Sequence, residues 1–344
     1  YAQTDEQRDA LANYVGWGGM GQITQDIDRL RSRMSETGET PAEAISRTAN
    51  LSADDIDDQY TRLLELFGTN VLDDERWAKL SETILNAHYT QPFVAKAMWR
   101  AAENLGFEGG RVIEAGAGNG MFIGAMPESL RDSTSVHAVE MDGVSADIAR
   151  ALYPDAYVQQ SGFERLRKTN HAGQYDLAIG NVPYGRYNVA DPEYDREKLS
   201  IHNHFTAKAL DFVQPGGISV MLTSRFMLDA SSPRSRQRLA ERAELLGALR
   251  LPQNTFSSIA NTGVVEDLLV FKRVDRPGLV GRPDEELPAW ARNGVPIRSE
   301  RFETTISPYF EENPDKVLGT ISVEGGRYGA GEVVVKRLEG EDVP

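Results

Sequence analysis

At 344 residues, 40% hydrophobic and 26% charged, the chain has room for one large globular domain or two modest ones, and its lack of cysteine excludes disulfides, zinc ribbons and thiol nucleophiles. A formal net charge of -15 argues against tight, unaided binding to a polyanion. No apolar run nears the roughly 18–20 residues of a membrane span and no secretory signal opens the chain, so a cytoplasmic setting without a membrane partner is expected.

The chain starts at Tyr1 rather than Met, which points to a piece of a longer polypeptide. Residues 1–84 read as an N-terminal helical segment. DEQRDALANYV has helical apolar spacing, GWGGMG interrupts it, and LSADDIDDQYTRLLELFG runs from a Ser52 cap to a stop at Gly68. From 85 to 274 short apolar runs alternate with helical stretches. The runs are RVIEAG, SVHAVEMD, YVQQSGF, YDLAIGN, ISVMLTS, ELLGALRLP and VVEDLLVFKRV, and FVAKAMWRAAENLG and IHNHFTAKALDFV are two of the helices. This alternation predicts an α/β fold, a seven-stranded and mostly parallel sheet with helices on both faces. Residues 275–344 read as a linker, RPGLVGRPDEELPAWARNGVP, and a C-terminal extension whose GTISVEGGRYGAGEVVVKRL forms a β-hairpin. Arg225, Arg234, Arg236, Arg238, Arg242 and Arg250 crowd the middle, and Arg165, Arg167 and Lys168 form a smaller group. Each cluster is either a solvated helix face or a basic lip around a site.

Two stretches carry chemistry. The first, Glu114-Ala-Gly116-Ala-Gly118-Asn-Gly120, follows the first strand and opens a helix. Its glycines allow a tight turn and close approach to a ligand. The second strand ends in Glu140, with Asp142 in reserve, placed to accept hydrogen bonds from a ribose diol. Glu114 would repel a pyrophosphate but suits a cation, such as the amino group or sulfonium of S-adenosylmethionine. The second stretch is DLAIGNVPYGRY, where a strand stops abruptly. The Asn181 side-chain oxygen and the Val182 carbonyl can accept from an exocyclic amine and draw its nitrogen towards tetrahedral geometry. Pro183 stiffens the loop, and Tyr184 can stack on a base. His202 and His204 have metal-ligand spacing but no completing acid, so helix packing explains them; no metal site is expected. His88 is read as structural or as part of the cofactor's surroundings, and Ser224 and Ser231 lack the turn of a serine nucleophile.

Over residues 85–274 the chain resembles a class I S-adenosylmethionine-dependent N6-adenine DNA methyltransferase with motifs in the γ order. HYTQP is similar to the segment upstream of the glycine loop, which implies cofactor contacts from Tyr89, Thr90 and Pro92. EAGAGNGMF matches the cofactor loop and places Phe122 on its aromatic, SGFE places Phe163 in the third motif, and NVPYG matches the catalytic motif with Val182 for its first proline. The resemblance implies an antiparallel seventh strand and methyl transfer to adenine N6 of a flipped-out base. YVGWGGMG, NAHYT, LSIHNHFTAKALDFVQPGG and PYFEENPDKVLGT further resemble the methylase region of large phage and mobile-element proteins, in a restriction-modification or antirestriction setting. There a helicase-like region follows in the same polypeptide, and this fragment alone is expected to bind DNA weakly. Three alternatives stay open: RNA adenine, a protein glutamine amide, or a non-catalytic module that binds cofactor or DNA.

Overall fold

The computed structural model describes residues 90–184, 188–253, 255, 265–326 and 331–337, together with Thr4, Arg8 and Thr37. The expected N-terminal helical segment, His88, Tyr89 and Gly185 lie outside the described residues.

All seven expected strands form one sheet. They are β1 (Gly110–Ala115), β2 (Thr134–Glu140), β3 (Tyr157–Gln160), β4 (Tyr175–Asn181), β5 (Val213–Ser224), β6 (Ala243–Arg250) and β7 (Glu266–Arg273). Their order is β3-β2-β1-β4-β5-β7-β6. β1 to β5 pair in parallel, whereas β7 runs antiparallel to both β5 and β6. Successive residues of the central strands are buried on opposite faces, as the period of two requires. Val112, Leu177, Ile179, Val220 and Leu222 join one core cluster. Their neighbours Ile113, Ala178 and Met221 join the other.

The main helices are α1 (Pro92–Asn104), α2 (Met121–Ala125), α3 (Glu128–Arg131), α4 (Gly143–Leu152), α5 (Lys168–His171), α6 (Ile201–Phe212), α7 (Phe226–Asp229) and α8 (Arg234–Ala240). Proline opens α1, where its missing N–H costs nothing, and Val94, Ala95, Met98, Trp99 and Ala102 bury one stripe. α6 is buried almost all round, including His202, His204 and Lys208.

Two expectations change. The segment expected to be a linker is packed: Leu287, Trp290 and Ala291 are buried, and the Trp290 ring meets Phe271 of β7 edge-on with centroids 5.6 Å apart. It leads into a hairpin of β8 (Val295–Arg298) and β9 (Glu303–Ile306), then α9 (Pro308–Glu312). Proline and glycine set the turns there, but three apolar side chains supply an anchor. The expected second hairpin is present as β10 (Thr320–Gly325) and β11 (Gly331–Lys336).

Most of the arginine cluster is neither a solvated face nor a basic lip; only Arg234 is exposed. Arg225, Arg236 and Arg250 are buried. Arg250 bonds Asp229 and Asp267 at 2.8–3.0 Å, Arg242 reaches Asp211 at 3.1 Å and also bonds Glu197, and Arg236 donates to the carbonyls of Ala230 and Arg292. Guanidinium groups satisfy buried carboxylates and carbonyls well because their fork carries five donors. In the smaller group Arg165 and Arg167 are exposed, while Lys168 pairs with Asp211 at 2.7 Å.

Candidate cofactor and catalytic site

β1 and β4 are neighbours in the sheet, but the next strands lie on opposite sides of them. A crevice therefore opens beyond their carboxyl ends, where open α/β sheets hold ligands. The glycine loop enters it from β1. The N–H groups of Gly116 and Ala117 both donate to the Val139 carbonyl, at 2.8 and 3.1 Å, so the loop is pinned to β2. Gly116 has φ +76°, a left-handed conformation, and a Cβ there would lie 3.9 Å from the Asn181 carbonyl oxygen and from Pro183 Cδ. The two stretches singled out in the sequence thus meet. Gly120, at φ +85°, leaves room for the Tyr153 ring, 2.6 Å from where a Cβ would sit.

Glu114 lies under this loop and is 1% exposed. Neither of its carboxylate oxygens has a hydrogen-bond partner among the described residues. Burial, and then the neighbouring Glu140, hold its carboxyl well above the usual carboxylate range. Glu140 is better satisfied. Its two oxygens accept the N–H groups of Gly118 and Asp142, each at 2.7 Å, and burial raises it against those bonds. The candidate ribose acceptor therefore also fastens the glycine loop to the tip of β2. Asp142 is taken up in capping α4, accepting the Ser145 N–H at 2.8 Å.

The remaining candidate cofactor residues are dispersed in depth. Thr90 is buried just ahead of α1, and Pro92 is exposed at its first turn. Phe122 is in the core, and its carbonyl accepts the Trp99 indole N–H at 2.8 Å. Phe163 is buried with its ring 5.1 Å from Phe205 and 5.5 Å from Phe212, centroid to centroid.

At the end of β4, Val182 is 1% exposed and its N–H donates to the Leu222 carbonyl at 3.0 Å. A proline has no N–H to give, so valine here adds a bond to β5 that the doubled proline of the resembling motif lacks. The Tyr184 hydroxyl donates to Asn181 Oδ1 at 2.6 Å. Burial, and then the charge of Glu266, the first residue of β7, raise this hydroxyl well above the usual tyrosine range. Glu266 is 5% exposed and is pushed up to about 8, chiefly by burial. Sequence reasoning missed this residue. The signal was two adjacent acids, Glu266 and Asp267, inside the apolar run VVEDLLVF.

A second missed group holds the chain that follows. Asp191 accepts from His204 Nε2 at 2.9 Å and Lys208 Nζ at 2.6 Å, and Lys208 also donates to the Glu164 carbonyl at 3.0 Å. His204 is thus a packing residue, and His202 Nε2 lies 3.1 Å from the Ser200 hydroxyl. Among the described residues no group of three or more His, Asp or Glu side chains is arranged to hold a metal.

Five parallel strands, a β7 inserted antiparallel between β5 and β6, and a glycine loop closing on β1 decide the architecture. The fold is that of the class I methyltransferases. No family model matches the chain. Over 192 residues, 55% of the chain, it is 32% identical to defense against restriction protein B of Escherichia phage P1, and it covers 8% of that protein's length. Among solved structures sharing the class I architecture, it is similar to a type I restriction-modification methyltransferase subunit from Streptococcus thermophilus. That match has 15% identity and a TM-score of 0.48, over 78% of this chain and 74% of the other. It is also similar to TrmN from Thermus thermophilus, with 18% identity and a TM-score of 0.38, over 54% and 49% of the two chains. Among the described residues no helix of this class I fold is long and apolar enough to cross a membrane.

Proposed function

We propose that the chain transfers a methyl group from S-adenosylmethionine to the N6 amine of adenine in DNA. One observation carries this reading. The buried Glu114 carboxylate has no hydrogen-bond partner among the described residues, and Gly116, two residues on, packs against the Asn181-Val182-Pro183-Tyr184 turn, a Cβ there lying 3.9 Å from the Asn181 carbonyl oxygen and Pro183 Cδ. A buried carboxylate without a partner is costly, and the positive charges of S-adenosylmethionine would relieve it, so the residues fit that cofactor. Glu114, Glu140 and the Gly116 to Gly120 loop would hold it, with Thr90, Pro92, Phe122 and Phe163 as further contacts, and Tyr89, outside the described residues, is proposed with them. When bound, it supplies a methyl group on sulfonium.

The chain's own residues prepare the acceptor amine. The Asn181 side-chain oxygen and the Val182 carbonyl accept its N–H groups, which counters delocalisation of the nitrogen lone pair into the ring. Tyr184 offers a face for stacking, worth roughly 1–3 kcal/mol per base. Pro183 keeps the turn rigid. Direct displacement needs no covalent enzyme intermediate.

The cofactor assignment has a proton signature. Burial, and then the neighbouring Glu140, raise the Glu114 carboxyl well above the usual carboxylate range. A cation beside it lowers its pKa, so binding releases a proton. Titration calorimetry of S-adenosylmethionine in buffers of different ionisation enthalpy should show net proton release on binding. Glu114→Gln should abolish that release and weaken binding. Binding with no proton release would exclude Glu114 as the cation's partner.

The name of the phage P1 relative supports an antirestriction or restriction-modification setting, and we extend it to this chain. The inner arginines Arg236, Arg242 and Arg250 are committed to internal partners, and the formal net charge is -15. Duplex DNA should therefore bind these 344 residues weakly, at roughly 10⁻⁴–10⁻⁶ M and with a shallow salt slope. A helicase-like neighbour in the parent polypeptide would supply the tighter hold. Nanomolar, sequence-specific binding by the fragment across a salt series would refute this.

The same arginine observation favours a second reading, transfer to a protein glutamine amide, which needs no basic lip. Radiolabelled methyl transfer to unmethylated DNA, RNA and glutamine-bearing protein substrates, compared side by side, tests the first reading against the second. Product digestion that yields no N6-methyladenine from DNA would overturn the first.

A further inference from the structure

We propose that the chain has a second ligand site, for a nucleoside monophosphate, in a cavity at the end of the sheet opposite the cofactor crevice. The inference does not rest on the methyltransferase reading. It starts from a gap in the cover of the sheet. Parallel strands are joined by crossovers that usually carry a helix, which packs on the sheet. The crossover from β3 to β4 carries only a turn of 3₁₀ helix, Phe163–Arg165, and the four residues of α5. That leaves part of β2 and β3 bare, and Tyr157, at the start of the edge strand β3, stays 63% exposed. A cavity of about 470 Å³ opens there, within the roughly 300–1,000 Å³ of small-molecule sites. Arg111, Ser135, Tyr157 and Tyr175 bring to it the starts of β1 to β4, and His171 brings α5. The candidate cofactor crevice lies beyond the carboxyl ends of the same strands.

The floor of the cavity is a fixed polar network. The Tyr175 hydroxyl lies 2.6 Å from His137 Nδ1 and 3.1 Å from His171 Nδ1, and His137 Nε2 lies 3.0 Å from Gln159 Oε1. Tyr175 is 2% exposed, so the core holds the hydroxyl that orients both imidazoles. A floor ordered before the ligand arrives lowers the entropy cost of binding.

The rim supplies what a nucleotide needs. The Arg111 guanidinium stands 5.2 Å from the centre of the Tyr175 ring. Among the described residues its side chain bonds Gln174 Oε1, a neutral group, at 3.1 Å and pairs with no carboxylate. Asp176, the next residue of β4, is taken up by the Arg111 backbone N–H at 2.7 Å and by Gln214 at 2.6 Å. The side chains of Ser135 and Asn170 are exposed and make no hydrogen bond among the described residues. These donors suit a phosphate, and the guanidinium gives the strongest bond. The Tyr157 ring lies 4.8 Å from His137, centroid to centroid, and its exposure leaves it free to stack on a base. No side chain lining the cavity is acidic, although acids outnumber lysines and arginines 52 to 37 in the chain. Such a lining favours an anion, and its aromatic rings favour one that carries a flat ring. The nucleotide is either free or the 5′-phosphate end of a strand, since both present the same groups.

The test follows the imidazole signals of the full chain by NMR. The chain has five histidines, and the His137 and His171 signals are assigned by their loss in His137→Gln and His171→Gln. Cytidine monophosphate is titrated in with and without an excess of S-adenosylhomocysteine, which occupies the cofactor crevice. Both signals should shift saturably in either case. Arg111→Ala and Tyr157→Ala, which alter exposed side chains, should each weaken binding about tenfold, the worth of one charge-assisted hydrogen bond or one stacked base. Cytidine and inorganic phosphate should each bind at least about tenfold more weakly than the nucleotide, because each lacks one of those contacts. A 5′-phosphorylated DNA strand that shifts the same signals identifies a strand end as the source, and a strand that leaves them unmoved while cytidine monophosphate binds identifies the free nucleotide. No shift at millimolar nucleotide overturns the proposal. So does a shift that neither Arg111→Ala nor Tyr157→Ala weakens, or inorganic phosphate binding as tightly as the nucleotide. A shift abolished by S-adenosylhomocysteine would place the nucleotide in the cofactor crevice and overturn it as well.

Discussion

Asn181→Ala should lower methyl transfer by about 10²–10³-fold, the usual cost of removing one preorganised group that acts on the transition state. On the proposed reading, in which Asn181 acts on the acceptor amine and Glu114 and Glu140 hold the cofactor, affinity for S-adenosylmethionine should stay within a factor of about two. The substitution is structurally mild. β4 remains paired through Leu177 to Asn181 with β5, and the Val182 N–H still reaches Leu222. What is lost is an amide oxygen at a fixed place, together with the partner that receives the Tyr184 proton. Single-turnover transfer of labelled methyl, run beside calorimetry of cofactor binding, separates the two effects. Full activity in Asn181→Ala would show that the acceptor sits elsewhere in the crevice.

Arg250→Ala should destabilise the fold by about 3–5 kcal/mol, the cost of leaving buried charge without its partner. Arg250 is 0% exposed, lies between Asp229 and Asp267, and stacks its guanidinium 4.1 Å from the centre of the Phe310 ring. Burial already raises Asp267, and Arg250 is what pulls it down. Without the arginine its carboxyl rises further. An acid whose folded pKa is raised destabilises the fold at pH above its unfolded value and less so below it. The loss should therefore be largest near neutral pH and shrink as pH falls towards about 4. Denaturant unfolding at both pH values checks this. A loss under about 1 kcal/mol at neutral pH would mean that the two aspartates find other partners.

The central architecture was legible because its signals are local. Val112, Ile113, Leu177, Ala178 and Ile179 are buried on both sheet faces and form short apolar runs, which only a covered parallel sheet explains. The glycine loop and the Asn-x-Pro-Tyr turn were legible for a similar reason: each needs unusual residues in a short span. What was missed depends on partners far apart in the chain. Arg250 looks like a surface cation until Asp229 and Asp267 are seen around it. Lys208 sits in a helix buried almost all round, and Asp191, 17 positions earlier, is what allows it inside. The stretch from Arg276 to Pro296 looked like a linker because prolines and glycines outnumber its apolar anchors, yet its Trp290 packs edge-on against Phe271.

The placement of the Arg250 cluster also bears on the order in which the protein is made. β1 to β5 can find their parallel partners as they leave the ribosome. β6 and β7 carry Arg250 and Asp267 into the sheet, but the cluster is sealed only from further along. The Ser307 N–H donates to Asp229 Oδ1 at 2.9 Å, and Phe310 supplies the ring beneath the guanidinium. Until those residues emerge, a nascent chain holds an open, charged edge on an otherwise assembled sheet. Vectorial synthesis thus makes the last hairpin-bearing region the closing step of folding, and a ribosome stalled between β7 and Ser307 would display a sheet that chaperones can still engage.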